Sequence, residues 1–499
     1  MTEQFPENIK VPRIDITERN LLVIVEQVWK ALIQANSPPR FFHHANRWVR
    51  VTLQENGVIR LDQLDKKKLH YELVRLAEFV YTKKGEMIID LPPHFLVDDL
   101  LADPKPRLPV MNHVASAPIF SEGGHLRVKP GYDPETQCYL TMNGASFFSE
   151  LPVNPKEHLV IQAKNLINEL LHDFPLIGPA EKAHAIALFL TPFVRLVIEG
   201  PIPLTIVEAP CPGTGKTLLV QVLTYPFTGQ PLEAMSESRN NEEIRKRITA
   251  KLLQAATYIY IDNVIEQINS SALAAAITST VLEDRQLGFS RILRLPVNCV
   301  WVVTGNNPAL SAEMSRRSVR VRLDTGKEQP WLRDPGQYKH PNLMNWVKKH
   351  RQQLVWSALV LIRNWFAQGK PVADQPSLGM FEGWCRVIGG ILKVNGIPGF
   401  LENLDTLYTT ADMETAHWRN FTENWFSTYA RSSVGVARLY ELVLDKDIPI
   451  DLGSGSEHSK RIRLGLQISK MRQRQFGDYR IVPGKEKNHA QTWRLELVG

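Results

Sequence analysis

Four side chains in this sequence are of the types that handle a polyphosphate: Lys216, Thr217, Asp262 and Asn306. The first two close a turn made of Pro212, Gly213, Thr214, Gly215, Lys216, Thr217 and Leu218. Backbone N–H groups of such a turn point inward and, with the positive end of the following helix dipole, form a seat for phosphate oxygens. A lysine at the end of the turn reaches the β- and γ-phosphates, and the hydroxyl beside it ligates Mg²⁺. An aspartate ending a buried strand holds the water shell of the same ion. An asparagine nearby can polarise an attacking water or touch the γ-phosphate. The general pattern G-x-x-x-x-G-K-[ST] is met except at its first position, where Pro210 stands.

These residues need a sheet to bring them together. Leu204 to Val207 is an apolar run before the turn, and a helical pattern starts at Lys216, so the order is strand, loop, helix. A short strand near Leu232 to Met235 and a helix of mixed charge from Asn240 to Gln254 follow. ATYIYIDNV, from Ala256 to Val264, reads as a buried strand ending in Asp262. CVWVVTGNNP, from Cys299 to Pro308, is another, with Thr304, Asn306 and Asn307 at its end. In an open parallel sheet the chemistry lies beyond the carboxyl ends of the strands, so the turn, Asp262 and Asn306 are expected to converge. Between these strands, Val281 to Asn298 reads as a β-hairpin around Leu287 to Ser290, with Arg285, Arg291 and Arg294 on or near it. An ordinary solvated hairpin is the alternative there.

GTGKT, IYIDN, the hairpin, TGNN and MSRRSVRVRLD (Met314 to Asp324), in that order, resemble the AAA+ ATPases of the superfamily III helicase type. More narrowly, they resemble the helicase-like replication ATPases of phages, prophages and integrative mobile elements. The resemblance covers about residues 150 to 499. It implies ATP and Mg²⁺ as ligands, with Lys216, Asp262 and Asn306 as catalytic groups and Thr217 and Asp262 as metal ligands. It also implies an arginine finger at Arg316 or Arg317, acting on a neighbouring subunit's nucleotide in a homo-oligomeric ring, a hexamer. The hairpin would line the pore and grip single-stranded DNA through Arg291 and Arg294. Asn263 departs from the family, standing where many members have the glutamate that activates water, and an amide is no general base. Glu243, in the helical segment EEIRKR, or Glu237, just after the second strand, is a candidate for that carboxylate; each could equally be a solvated surface acid.

The expected fold is α/β: an AAA+ P-loop core with helical collar and lid, a mixed α/β N-terminal domain and a C-terminal winged helix. The expected domains are 1–148 (α/β, no readable role), 149–200 (collar), 201–325 (core), 326–430 (lid, rich in tryptophan) and 431–499 (winged helix). The N-terminal part shows no closely spaced pair of acids on a strand, as a two-metal polymerase site would need. Within the lid, Arg351 is weighed as a second sensor and as a surface residue, the latter favoured.

The chain has 499 residues and a net charge of +7, and its last forty residues hold an excess of basic over acidic residues equal to that whole charge. There Ser459 to Gln475 reads as a helix, and YRIVP and TWRLELV as two strands around a loop. Leu464, Ile468 and Met471 form one stripe of the helix; Arg463, Gln467, Lys470 and Arg474 form another about 100° away. With Lys485 and Lys487 in the loop, this face is the expected site for duplex DNA, Gln467 being able to read a base edge. The four cysteines are scattered without a CxxC pair, no apolar run suits a membrane span, and no secretory leader is evident, so a cytoplasmic protein is expected.

Overall fold

The computed structural model describes residues 11–17, 20–54, 59–141, 148, 151–238, 240–265, 267–285, 292–373, 377–411, 413–450, 452–453, 455–485 and 491–498. The chain divides into two compact units: residues 1–309 with 316–404, and residues 310–315 with 405–499.

The first unit is built on a five-stranded parallel sheet. Its order is Ala234–Met235, Tyr258–Val264, Val300–Asn306, Leu204–Ala209 and Ser318–Arg322. Every residue of Leu204–Ala209 is buried, as befits a parallel sheet covered on both faces. Because the strands run parallel, Ala209 lies beside Asn306 and the end of Tyr258–Val264 beside Gly305, so all their carboxyl ends share one edge. The one carboxylate of the strand Leu204–Ala209, Glu208, is buried and held by Arg322 at 2.6 Å and Arg320 at 3.8 Å. A charge withdrawn from water needs such partners. Arg322 also donates to Asn307 Oδ1 at 2.9 Å, tying the segment after Asn306 to the strand two places away.

The helices expected before the core run Glu157–Leu171 and Pro179–Leu190. The second passes into a 3₁₀ turn, Thr191–Val194, where Pro192 removes a backbone donor. After the sheet come helices Leu343–Lys349, Arg351–Ala367 and Glu382–Val394, and Glu157–Leu171 packs against Arg351–Ala367.

The N-terminal residues have their own hydrophobic cluster, in which Val28, Trp29 and Leu32 meet Leu69, Leu73, Phe79, Leu96 and Leu100. They are nonetheless fastened to the core. His44 bridges the carbonyls of Met111 and Leu252, the Gln254 side chain accepts from Leu61 N at 3.2 Å, and Thr257 Oγ1 donates to Val114 O at 3.2 Å. A second α/β region is therefore present, as a part of the first unit rather than a separate body.

The second unit contains helices Met413–Tyr429, Val436–Asp445 and Glu457–Lys470. Its sheet has the order Val434–Gly435, Thr492–Leu497, Tyr479–Pro483, Gln475–Phe476. Trp418, Phe421 and Trp425 pack with Leu439, Leu464, Ile468 and Trp493 in one core. This departs from the boundary expected at 430/431: the last helix assigned to the lid buries its aromatic face in the C-terminal core instead.

Candidate functional site

The turn after Leu204–Ala209 takes its shape from two glycines in the left-handed region, Gly213 (φ 75°) and Gly215 (φ 102°). A side chain on Gly213 would run into Trp331, its Cβ only 2.9 Å from the tryptophan Cβ. Thr214 is buried and donates to Cys211 O at 2.7 Å, closing the turn. The helix Lys216–Thr228 begins at once, and no side chain caps its amino end. Its first backbone N–H groups therefore point out of the turn, available to an anion. Pro212 and Leu218 lie exposed at either side, and Pro212, lacking an N–H, is no donor.

Lys216, though buried, reaches across to the neighbouring strand, where Nζ donates to Asn306 Oδ1 at 2.6 Å. Burial pulls its pKa below that of an ordinary lysine, opposed by the charge of Asp262. Thr217 Oγ1 donates to Asp262 Oδ1 at 3.2 Å. Two further hydroxyls converge on that oxygen, Tyr260 at 2.5 Å and Thr304. Burial and the adjacent carboxylate push the Tyr260 phenol upward, which keeps it a proton donor to Asp262 at neutral pH. Tyr260 is the member of this cluster that sequence reasoning missed. Its position two residues before Asp262, hence on the same face of the strand, was the available signal.

Thr217 and Asp262 suit a divalent cation. A hydroxyl and one carboxylate beside a phosphate seat are the oxygen donors that Mg²⁺ takes together with substrate phosphates. Among the described residues no group of three or more His, Cys, Asp or Glu is gathered to hold a metal by itself.

Other expected residues fall elsewhere. Arg316, exposed, and Arg317, half-buried, directly precede Ser318, whose strand starts beside Leu204. They therefore sit at the amino edge of the sheet, roughly 17 Å of strand from the edge that carries Lys216. Glu243 lies on the helix Asn241–Leu252. Its carboxylate pairs with Arg247 at 2.9 Å, one turn along the same helix, and Arg247 in turn donates to Ser236 O at 2.8 Å. Glu237, by contrast, accepts from Ile265 N at 3.0 Å, next to the end of the Asp262 strand. Arg351 is neither a phosphate sensor nor a surface residue. Largely buried, it donates to Pro226 O at 3.1 Å and to Ser116 O at 2.6 Å, closing the carboxyl end of helix Lys216–Thr228, where a cation complements the dipole.

The hairpin strands are Val281–Arg285 and Ile292–Pro296, paired antiparallel. Arg291 lies outside the described residues. Arg294 is exposed, but its guanidinium pairs across the ladder with Glu283 at 3.2 Å. The first hairpin strand is pinned at Asp284, which receives Arg245 at 3.1 Å and the Thr249 hydroxyl.

In the second unit, Leu464, Ile468 and Met471 are buried as the periodicity predicts, while Lys470 and Arg474 are exposed. Arg463 faces inward more than expected, donating to Leu452 O and, at 2.8 Å, to Ser459 Oγ. Gln467 is half-buried, Arg474 lies over the Phe476 ring at 5.2 Å, and Lys485 is exposed; Lys487 lies outside the described residues. The outer pole of this helix is apolar, with Ile462 and Leu466 exposed.

No family model matches this chain, and no curated protein does. Among solved structures, the NrS-1 C-terminal region is similar at a TM-score of 0.37 and 13% identity, over 95% of this chain and 98% of that one. An SCCmec type IV Cch helicase is similar at 0.35 and 11%, over 92% and 97%. The JCV helicase is similar at 0.23 and 13%, over 52% of this chain and 72% of that one. Resemblance at this level is loose, and the chemistry of the site stands on its own side chains. No helix among the described residues is long and apolar enough to cross a membrane.

Proposed function

We propose that this chain is an ATP-dependent DNA helicase or translocase serving the replication of a mobile element. The observation that carries the reading is the meeting of Lys216, Thr217, Asp262 and Asn306 at the carboxyl edge of three adjacent parallel strands. A positive side chain, a hydroxyl, a carboxylate and an amide around an uncapped helix terminus make a triphosphate site. Phosphoryl transfer asks for little else beyond positioning and charge stabilisation.

The amides of Gly213 to Leu218 would cradle the β-phosphate, with Lys216 set against the β- and γ-oxygens. Thr217 and Asp262 would hold Mg²⁺, which neutralises charge between those oxygens. Tyr260 and Thr304 fix the carboxylate from below, and Asn306 orients Lys216 and the attacking water. Arg316 and Arg317, at the far edge of the sheet, have no path to their own nucleotide, which favours a ring in which they serve a neighbour. The helices before and after the core act as collar and lid. The second unit, three helices with a short antiparallel sheet, is read as a winged helix for duplex DNA.

Arg294 favours a second reading, because its pairing with Glu283 removes one hairpin cation from DNA. On that reading the chain is a nucleotide-driven switch that does not unwind. ATP turnover with Mg²⁺, followed on a forked DNA substrate, separates the two. The helicase couples turnover to strand displacement, a switch hydrolyses without displacement, and a chain that binds DNA without turnover sinks both.

A further inference from the structure

The ATPase site as described lacks a base, since Asn263 cannot take a proton. We propose that Glu237, on the neighbouring strand, is the carboxylate that activates water, an assignment that rests on the ATP-hydrolase reading above. Two observations lead to it.

The strand Tyr258–Val264 breaks register between Ile261 and Val264, Asn263 adopts a φ of 55°, and its N–H is engaged by Thr304 Oγ1 at 2.8 Å. The chain therefore bulges outward immediately after Asp262. Beside it, Ala234 pairs with Tyr260 and Met235 with Ile261, in parallel. Continued by two residues, this register sets Ser236 beside Asp262 and Glu237 beside Asn263. The contact between Glu237 Oε2 and Ile265 N, at 3.0 Å, agrees with that placement.

Glu243 is paired with Arg247, and Glu208 is buried against Arg322. Arg247 also donates to both Ser236 O and Ser236 Oγ, which holds the segment leading into Glu237. A base one strand away from its usual place would thus be supported by its own side-chain anchor.

In the step, Glu237 takes a proton from water as the water oxygen bonds to the γ-phosphorus. The bond from that phosphorus to the β,γ-bridging oxygen breaks, and its electron pair leaves with ADP. The proton then passes from the carboxyl to the released phosphate.

The test measures ATP turnover with Mg²⁺, and binding of a fluorescent ATP analogue, on the full chain. Glu237→Gln, which keeps an oxygen acceptor for Ile265 N, should bind the analogue within about threefold of wild type while turnover falls about 100-fold or more. Adding Asn263→Glu to that variant should return turnover to within about tenfold of wild type, because a carboxylate again stands at the same corner. Turnover within about threefold in Glu237→Gln overturns the assignment, as does joint loss of binding and turnover, which marks a structural role. A wild-type chain without turnover fails the ATP-hydrolase reading itself, and the assignment with it; the other outcomes leave that reading in place.

Discussion

Lys216 Nζ donates to Asn306 Oδ1 at 2.6 Å, joining the phosphate turn to the adjacent strand through a single hydrogen bond. The amide accepts from the ammonium without neutralising it, so Lys216 stays directed at the turn with its charge intact.

This pairing separates three variants. Lys216→Ala should abolish turnover, since the turn amides alone cannot balance the γ-phosphate charge. Asn306→Ala should bind ATP within a few fold yet turn it over on the order of 100-fold more slowly. Asn306→Asp should instead weaken ATP binding about tenfold, because a carboxylate holds the ammonium in an ion pair that phosphate must displace. Equilibrium binding of a fluorescent ATP analogue and steady-state phosphate release distinguish them. An aspartate variant that binds as tightly as wild type would refute the shared role of the pair.

Arg316 and Arg317 carry a second expectation, from their place at the amino edge of the sheet. Alanine at either position should leave ATP binding intact and slow turnover. Mixing that variant with Lys216→Ala should restore part of the turnover, since a competent site then forms between one chain's lysine and another's arginine. Mixtures that assemble and recover nothing would remove these residues from the nucleotide's surroundings.

Legibility in the sequence followed the range of the forces involved. The strand ends bearing Lys216, Asp262 and Asn306 were readable, because burial makes Leu204 to Val207 and Val300 to Val303 largely apolar runs. Tyr260 was hidden in such a run, its hydroxyl unremarkable until Thr217 and Thr304 are seen on the same oxygen. Choosing between Glu237 and Glu243 required the parallel pairing of Met235 with Ile261, and sequence does not carry register between strands. Trp418, Phe421 and Trp425 announce burial by spacing, yet spacing does not say which core receives them. Arg351 was misread for the same reason: its partners, Pro226 and Ser116, are distant in sequence.

The buried His184 gives the first unit a pH dependence. Its ring accepts from Leu401 N at 3.1 Å, and its other nitrogen lies 2.8 Å from Arg320 O, an arrangement that suits the neutral tautomer with Nδ1 protonated. Burial lowers its pKa from 6.5 to about 4. The folded state thus binds fewer protons than the unfolded chain between those values. Stability is complete above pH 6.5, falls as pH drops from 6.5 towards 4, and levels off below. The contribution is on the order of a few kcal/mol. Thermal melts across this window should show the fall in wild type and a flatter profile in His184→Gln. Equal slopes would place the acid sensitivity elsewhere.

The last prediction concerns duplex binding by the second unit. Arg463 is turned towards Leu452 and Ser459, which leaves Lys470, Arg474 and Lys485 as the exposed cations of the expected face among the described residues. If each meets one phosphate, log K against log salt should have a slope of about −2.7. A fourfold rise in salt then weakens binding roughly 40-fold. Charge reversal at Lys470 should make the slope shallower by about one for every duplex sequence. Gln467→Ala should cost about 1 to 3 kcal/mol on a preferred sequence alone. Truncation must come after Leu404, because a cut at residue 430 strips Trp418, Phe421 and Trp425 of the core they fill. A chain shortened to residue 404 that binds duplex with an undiminished slope would show that the lysines and arginines of this helix are merely solvated, and the duplex-binding role would fall.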